Sequence, residues 1–164
     1  MDEWKEETFK MITVLVASYN GSRYIKQQLD SILAQDEKDI HILVSDDCSA
    51  DGSGELLKEY EERHRDRILV LFRRKPSGGA AAHFLKLLKL MADADHNPDA
   101  DHSTDADHDT EALPGPLSLL SEYEVTENQL ARLGPLARAD YFMLSDQDDV
   151  WPVSYTHLRA HETL

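Results

Sequence analysis

Short apolar runs alternate along this chain with segments in which apolar residues recur every three or four positions. The runs are rich in β-branched and aliphatic residues, which is typical of strands buried on both faces, and they cover residues 11–17, 40–45, 67–72 and 141–144. Helical periodicity follows the first three runs, over residues 25–33, 56–60 and 84–91. Strands that alternate with helices form a parallel sheet with right-handed crossovers. The pattern therefore predicts an α/β fold with a mostly parallel sheet.

The alternation breaks after the third predicted helix. Three tandem hexapeptides of the form DADHxx run from Asp93 to Thr110 and carry almost no apolar side chains for a core. We expect residues 92–138 to be an acidic, largely disordered insertion, in which residues 124–133 could form a short helix. The repeats place histidines beside carboxylates, which is compatible with weak binding of divalent metals. A repeat expansion in a tolerant surface loop is the interpretation we favour.

The final segment, residues 153–164, shows neither strand nor helix periodicity. It resembles an ending found on unrelated metagenomic chains that arises from translated sequencing adapter. We therefore expect residues 1–152 to form the native part of the chain and residues 153–164 to be a non-native tail.

Composition narrows the classes of partner. The chain has 17 basic and 32 acidic residues and a formal net charge of −15, which argues against nucleic acid and against an anionic membrane surface as the main partner. A single cysteine, Cys48, excludes an internal disulfide and fits a reducing compartment. No apolar run approaches the ~20 residues of a membrane span, and the polar residues 1–10 lack a signal-peptide pattern. The chain is therefore predicted to be cytoplasmic.

Acidic residues follow two of the predicted strands. Asp46 and Asp47 come directly after the second strand, and residues 146–149 place three carboxylates after the fourth. The carboxyl ends of parallel strands meet at one edge of a sheet, where ligands bind in open α/β folds. Clustered carboxylates repel one another unless a cation lies among them, so the second cluster predicts a divalent-metal site. A solvated acidic turn is the simpler alternative.

Two more loops reach the same predicted edge. Tyr19 and Asn20 follow the first strand, and a basic loop with two glycines, residues 73–79, follows the third. An acidic edge needs a metal in order to hold a phosphate. A nucleoside diphosphate bridged by Mg²⁺ or Mn²⁺ would satisfy this arrangement.

Three motifs at this edge resemble those of family 2 glycosyltransferases with the GT-A fold. They are VLVASYNGSRYI at residues 14–25, SDDCSADGS at residues 45–53 and SDQDDVW at residues 145–151. The last is similar to bacterial rhamnosyltransferase-like members that act on cell-surface polysaccharides. The resemblance covers residues 11–91 and 140–152, and it implies a Rossmann-like, nucleotide-sugar-binding GT-A domain that is truncated.

The resemblance also implies roles for individual residues. Tyr19 would pack against the nucleotide base, Asp47 would hydrogen-bond the base or ribose, and Asp148 would be the first choice as metal ligand. Asp146 would contact the ribose, a metal-bound water or the metal. The full set of implied donor-binding residues is Ala17, Tyr19, Asn20, Asp46, Asp47, Asp146 and Asp148. His83, in the third predicted helix, is expected to face the helix surface.

The activity that the resemblance implies is transfer of a sugar from a UDP- or dTDP-sugar to a glycan or lipid-linked acceptor, with inversion and with Mg²⁺ or Mn²⁺. Enzymes of this type use a carboxylate as general base toward the acceptor hydroxyl. No residue here can be assigned that role, and we expect the fragment to be inactive alone. The family also leaves open peripheral association of the full-length enzyme with the inner face of the cell membrane.

Two other interpretations remain open. Residues 141–150 also fit the pattern of haloacid-dehalogenase-like phosphatases, with Asp146 as nucleophile and Asp148 as acid. That family needs further Ser/Thr, Lys and acidic residues downstream, and it leaves Asp47 and Tyr19 unexplained. The second alternative is a non-enzymatic acidic protein that binds metal through the DADH repeats.

Overall fold

A computed structural model describes residues 10–37, 39–95 and 116–152. The elements in chain order are β1 (Ile12–Ser18), α1 (Ile25–Leu33), β2 (Ile40–Asp46), α2 (Ser53–Arg63), β3 (Ile68–Arg73), α3 (Ala80–Asp95), a 3-10 helix (Pro116–Glu122), β4 (Tyr123–Glu124), α4 (Glu127–Ala137) and β5 (Tyr141–Asp146). The strand order is β4-β3-β2-β1-β5. All neighbouring strands are parallel except β4, which runs antiparallel to β3. The predicted α/β fold with a mostly parallel sheet is confirmed.

The central strands separate two apolar layers. On one face, Val14, Val16 and Ile42 pack with Leu29 of α1 and Leu57 of α2, and all five are fully buried. Side chains of α3, α4 and the 3-10 helix cover the other face. The fully or almost fully buried members of that second layer include Leu15, Leu43, Leu69, Leu87, Tyr123 and Leu133. Each such side chain contributes roughly 1.5–3 kcal/mol by leaving water, so the two layers hold the strand ends at the carboxyl edge in fixed positions.

The expectation that residues 92–138 form a largely disordered insertion is wrong for residues 116–137. Tyr123 and Leu133 are each 1% exposed and belong to the core layer on the α3 face. α4 begins with a capping box, in which the Thr126 hydroxyl accepts from the Gln129 backbone amide and the Gln129 side chain bonds the Thr126 amide. α3 also extends to Asp95, so the start of the first repeat is helical. The rest of the repeats and the predicted non-native tail lie outside the described residues.

β5 forms one edge of the sheet in the described part of the chain. Phe142 and Leu144 alternate along it with less exposed neighbours, and they are 39% and 49% exposed. Their register partners on β1 are Thr13 and Leu15, which face α4 and α3, so the helical layer stops short of β5. Across the same described ranges, no helix has the length and apolar character needed to cross a membrane.

Candidate functional site

A cavity of about 470 Å³ opens at the carboxyl edge of the sheet, where β1, β2 and β5 end and α3 begins. Its wall is built from the ends of β1, β2 and β5, from the glycine-bearing loop before α3 and from the first turn of α3. The predicted donor-binding residues that line it are Ala17, Tyr19, Asp47 and Asp146. The other three, Asn20, Asp46 and Asp148, are not part of this wall.

Asn20 joins the loops that follow β1 and β2. Its backbone is left-handed, with φ 49°, a conformation that Asn tolerates better than most residues. Its amide donates to Ser49 Oγ at 2.8 Å, and its side-chain oxygen accepts from the Ala50 amide at 2.9 Å. In this structure Asn20 therefore links two loops beside the cavity.

Tyr19 and Gln147 connect the loop after β1 to the end of β5. The Tyr19 amide donates to Gln147 Oε1 at 2.6 Å. A Cβ atom at Gly21 would lie only 2.5 Å from the same oxygen, so a larger residue there would displace the Gln147 side chain from this contact. The Tyr19 side chain itself is 56% exposed, which leaves its ring available to a ligand.

Asp46 is buried, and its carboxylate serves the loop that follows β2. One oxygen accepts from the Ser49 amide at 2.9 Å, and the other accepts from Ser49 Oγ at 2.6 Å. Asp46 is 3% exposed. Its contacts are those of a side chain that shapes a turn.

Asp47 lines the cavity but is already paired. Ser77 donates to it from the backbone amide and from Oγ, at 2.7 Å each. Arg73, whose side chain is fully buried, lies 3.1 Å away through Nε. The carboxylate thus anchors the loop of residues 73–79, and a nucleotide that hydrogen-bonds to Asp47 must exchange with Ser77 or share the carboxylate.

A second carboxylate, Glu122 of the 3-10 helix, also pairs with Arg73. Arg73 Nη2 donates to it at 2.6 Å, and Lys86 and Lys75 lie 3.2 and 3.6 Å away. The hydrogen bond from Arg73, helped by Lys86, lowers the pKa of Glu122 to about 2. The wall of the cavity next to β3 therefore depends on a segment that the sequence pattern marked as disordered.

The carboxylates after β5 are arranged differently. Gln28 of α1 donates to Ser145 Oγ at 2.6 Å and to the Asp146 carbonyl, which fixes the strand end. The Asp146 side chain accepts from the Gln147 amide at 2.8 Å. Asp148 is exposed and has no hydrogen-bond or ion-pair partner among the residues described.

The carboxylates after β5 fit a divalent metal that is held jointly by the protein and by a bound nucleotide better than a metal held by the protein alone. Within residues 10–37, 39–95 and 116–152, no three His, Cys, Asp or Glu side chains converge on a ready metal site. Mg²⁺ in nucleotide enzymes is typically held by one or two carboxylates, with substrate phosphates and water filling the other positions. Asp146 and Asp148 can supply these one or two carboxylate ligands, so the residues present fit a divalent metal that also binds substrate phosphates.

His83 was not predicted at the site. The expectation that it faces the helix surface is wrong, because it is 2% exposed, lines the cavity and contacts Ser45 Oγ through Nε2 at 2.6 Å. Burial lowers the pKa of the imidazole. The available signal was its position in the first turn of a helix that follows Gly78 and Gly79, which places it near the carboxyl edge of the sheet.

Comparison with solved structures defines the class of fold. TarS residues 1–349 of S. aureus, solved in complex with UDP-GlcNAc, aligns with a TM-score of 0.52 and 19% identity over 92% of this chain and 30% of that chain. A second structure of TarS residues 1–349 aligns with a TM-score of 0.51. The parallel sheet with its cavity at the carboxyl edge is thus the GT-A glycosyltransferase fold.

Comparison of the sequence with protein-family models identifies the family of the chain. The family described as Glycosyl transferase family 2 matches residues 13–102, which is more than half of the chain. The chain belongs to glycosyl transferase family 2, as the motifs after β1, β2 and β5 predicted. This membership does not favour the phosphatase and metal-buffer alternatives.

Two relatives show the range of the similarity. The dTDP-rhamnosyl transferase RfbG of Shigella flexneri is 28% identical over 136 residues, which cover 83% of this chain and 32% of the relative. The putative teichuronic acid biosynthesis glycosyltransferase TuaG of Bacillus subtilis is 34% identical over 82 residues, or 50% of this chain and 31% of the relative. The chain spans about a third of the length of these relatives. The predicted rhamnosyltransferase-like resemblance is confirmed.

Proposed function

We propose that this chain is the donor-binding part of a glycosyltransferase that moves a sugar from a UDP- or dTDP-sugar to a glycan or lipid-linked acceptor of bacterial cell-surface polysaccharide. One observation carries the proposal: a single cavity brings Tyr19, Asp47 and Asp146 together, and the unpaired Asp148 directly follows Gln147 of the same wall. The names of RfbG and TuaG support the class of donor and product. Because the chain spans only part of its relatives, the complete reaction is proposed for the whole protein.

Each residue has a distinct role in the proposed donor site. The exposed Tyr19 ring stacks on the pyrimidine base, and Asp47 hydrogen-bonds the base or ribose after Ser77 gives way. Asp146 and Asp148 hold Mg²⁺ or Mn²⁺, with Asp148 as the main ligand because no protein group competes for it among the described residues. Ala17 and Asn20 shape the cavity wall and the loop next to it.

The bound metal would neutralise the diphosphate and stabilise it as the leaving group. The chain's own residues bind and orient the nucleotide so that the anomeric carbon faces the acceptor side, with inversion as the proposed outcome. No described residue is assigned as the general base toward the acceptor hydroxyl. We therefore propose that the chain binds donor but does not complete transfer alone.

Titration calorimetry on the chain tests this proposal. UDP and dTDP, each with Mn²⁺, with Mg²⁺ and with EDTA, should show binding that depends on the metal, whereas ADP serves as a control for the base. Binding of Mn²⁺ with no response to any nucleotide would contradict the proposal and support metal buffering. Nucleotide binding that is equal with EDTA and with Mn²⁺ would contradict the role of the metal.

A further inference from the structure

His83 is the buried titratable group on the cavity that the proposed donor site does not use. It lies in the first turn of α3, where its amide donates to the Gly79 carbonyl at 2.9 Å. Gly78 and Gly79 have φ of 101° and 124°, which only glycine adopts readily, and this turn directs α3 toward the strand ends. The backbone therefore places the His83 ring at the cavity as a built feature of the loop.

Only one of the two ring nitrogens of His83 has a hydrogen-bond partner in the described part of the chain. Nε2 lies 2.6 Å from Ser45 Oγ, and Ser45 Oγ lies 3.5 Å from the Tyr123 hydroxyl. Nδ1 has no hydrogen-bond partner in the described part of the chain, although the ring borders the cavity. Nδ1 is not among the described atoms that are both fully buried and unpartnered, so it is open to a ligand or water in the cavity.

Burial favours the neutral form of the His83 ring, whereas the charges around it oppose one another. Burial lowers the pKa of His83. Asp47 and Asp46 at the end of β2 favour the cation, whereas Arg73 of β3 and Lys86 of α3 oppose it. A neutral imidazole offers a hydrogen bond without charge, which suits a base edge or a ribose hydroxyl better than a phosphate.

We propose that His83 is a donor-recognition residue whose Nδ1 hydrogen-bonds the nucleoside part of the donor, while Ser45 holds the ring in place. The inference rests on the proposed function, because it needs a nucleotide in this cavity. The nucleoside is favoured over the transferred sugar because His83 shares the cavity wall with Tyr19 and Asp47, the two residues assigned to the nucleoside.

Two substitutions separate this role from a purely structural one. In His83→Asn, the side-chain amide occupies the position of Nδ1, and the hydrogen bond to Ser45 is lost. In His83→Gln, the side-chain amide occupies the position of Nε2, and the hydrogen bond to Ser45 is kept. We expect His83→Gln to weaken UDP binding in Mn²⁺ by about tenfold, the size of one lost hydrogen bond, and His83→Asn to stay within about threefold of the parent. The reverse order would overturn the inference.

His41→Gln is the matched control, because His41 lies near the amino end of β2 and pairs with Asp39. Its UDP affinity should equal that of the parent. A parent that binds no nucleotide would overturn the proposed function and this inference with it. A parent that binds UDP, with equal affinities in both His83 variants, would overturn the inference alone.

A measurement on the unmodified chain guards against variants that fail to fold. In ¹⁵N NMR of the histidine rings, UDP with Mg²⁺ should shift the Nδ1 signal of His83 and leave Nε2 nearly unchanged. The same titration with a UDP-sugar should give the same Nδ1 shift. An Nδ1 signal that does not move with UDP, or moves only with the UDP-sugar, would contradict a contact to the nucleoside.

Discussion

The two acidic strand ends of this domain have similar sequences and opposite environments. After β2, Asp46 and Asp47 are 3% and 6% exposed, and Ser49, Ser77 and Arg73 occupy their carboxylates. After β5, Asp148 is exposed and unpaired within the described residues. A carboxylate already paired with protein groups stabilises the fold, whereas an unpaired one at the same sheet edge is available to a cation.

The difference shows that acidic residues at a strand end do not share one function. The β2 carboxylates hold the loops from which the cavity is built, whereas at β5 Asp146 lines the cavity and Asp148 is exposed and unpaired within the described residues. Substitutions at β2 should therefore change stability, and substitutions at β5 should change ligand binding with little effect on stability.

Asp47→Ala should give the largest loss of stability. It removes one of two carboxylates from the buried Arg73 and leaves the Ser77 amide without its acceptor. Removing one partner of a buried ion pair typically costs about 3–5 kcal/mol, and the remaining pair with Glu122 should keep the loss near 3 kcal/mol. Urea denaturation measures it, and a loss below about 1 kcal/mol would show that Asp47 does not anchor the loop.

Acid should weaken the same ion-pair network through Glu122. Its pKa is lowered from 4.5 to about 2 by Arg73 and Lys86, so its stabilisation is present above pH 4.5 and is lost as the pH falls toward 2. Glu122→Gln should remove this part of the pH dependence, with a smaller loss at pH 7 than Asp47→Ala because Glu122 is partly exposed. Thermal melts between pH 7 and pH 3 measure this effect. If the network were unimportant, the melting temperatures of parent and variant would fall equally with pH.

Asp46→Ala should cost less than Asp47→Ala, because Asp46 accepts two hydrogen bonds from Ser49 and pairs with no buried cation. We expect a loss of about 1–2 kcal/mol in the free energy of unfolding. Ser49→Ala offers a comparison, since it keeps the bond from the Ser49 amide to Asp46 but removes both the hydroxyl bond to Asp46 and the bond from the Asn20 amide to that hydroxyl, and it should lose a similar amount. Equal stability of Asp46→Ala and the parent would place Asp46 with the ligand-binding carboxylates instead.

The sequence predicted the sheet and its edge but not this division of roles. The strands β1 and β2 are uninterrupted apolar runs, and the parallel connection rules then bring all their carboxyl ends together. Whether Asp47 is paired depends on Ser77 and Arg73, and the pairing of Arg73 depends on Glu122, far along the chain. Residues 116–124 have little apolar periodicity, so nothing in the local pattern indicated that they fold against β3.

The sequence did contain a local signal for α4. Thr126 and Gln129 have the spacing of a capping box, and the short helix expected over residues 124–133 is present as α4, although it packs in the core rather than lying in a disordered insertion. His83 is a different case, because its place in the first turn after β3 put it near the carboxyl edge of the sheet, whereas helix periodicity alone did not show that its ring turns into the cavity. The left-handed Gly78 and Gly79 that direct the helix toward the cavity become apparent only in the folded chain.

Asp148→Asn should give the smallest change in stability, within about 0.5 kcal/mol of the parent, because the side chain is exposed. The same urea denaturation used for Asp47→Ala measures it. A loss comparable to that of Asp46→Ala would remove the contrast between the two strand ends.

The most direct test of the contrast is the metal dependence of UDP binding in Asp148→Asn, measured by titration calorimetry with Mn²⁺ and with EDTA. Asp66→Asn, an exposed carboxylate in the turn before β3, controls for the loss of one charge. We predict that Asp148→Asn loses the metal dependence and at least ~2 kcal/mol of binding free energy, whereas Asp66→Asn binds like the parent. Unchanged, Mn²⁺-dependent affinity in Asp148→Asn would contradict the assignment of the β5 carboxylates to the metal.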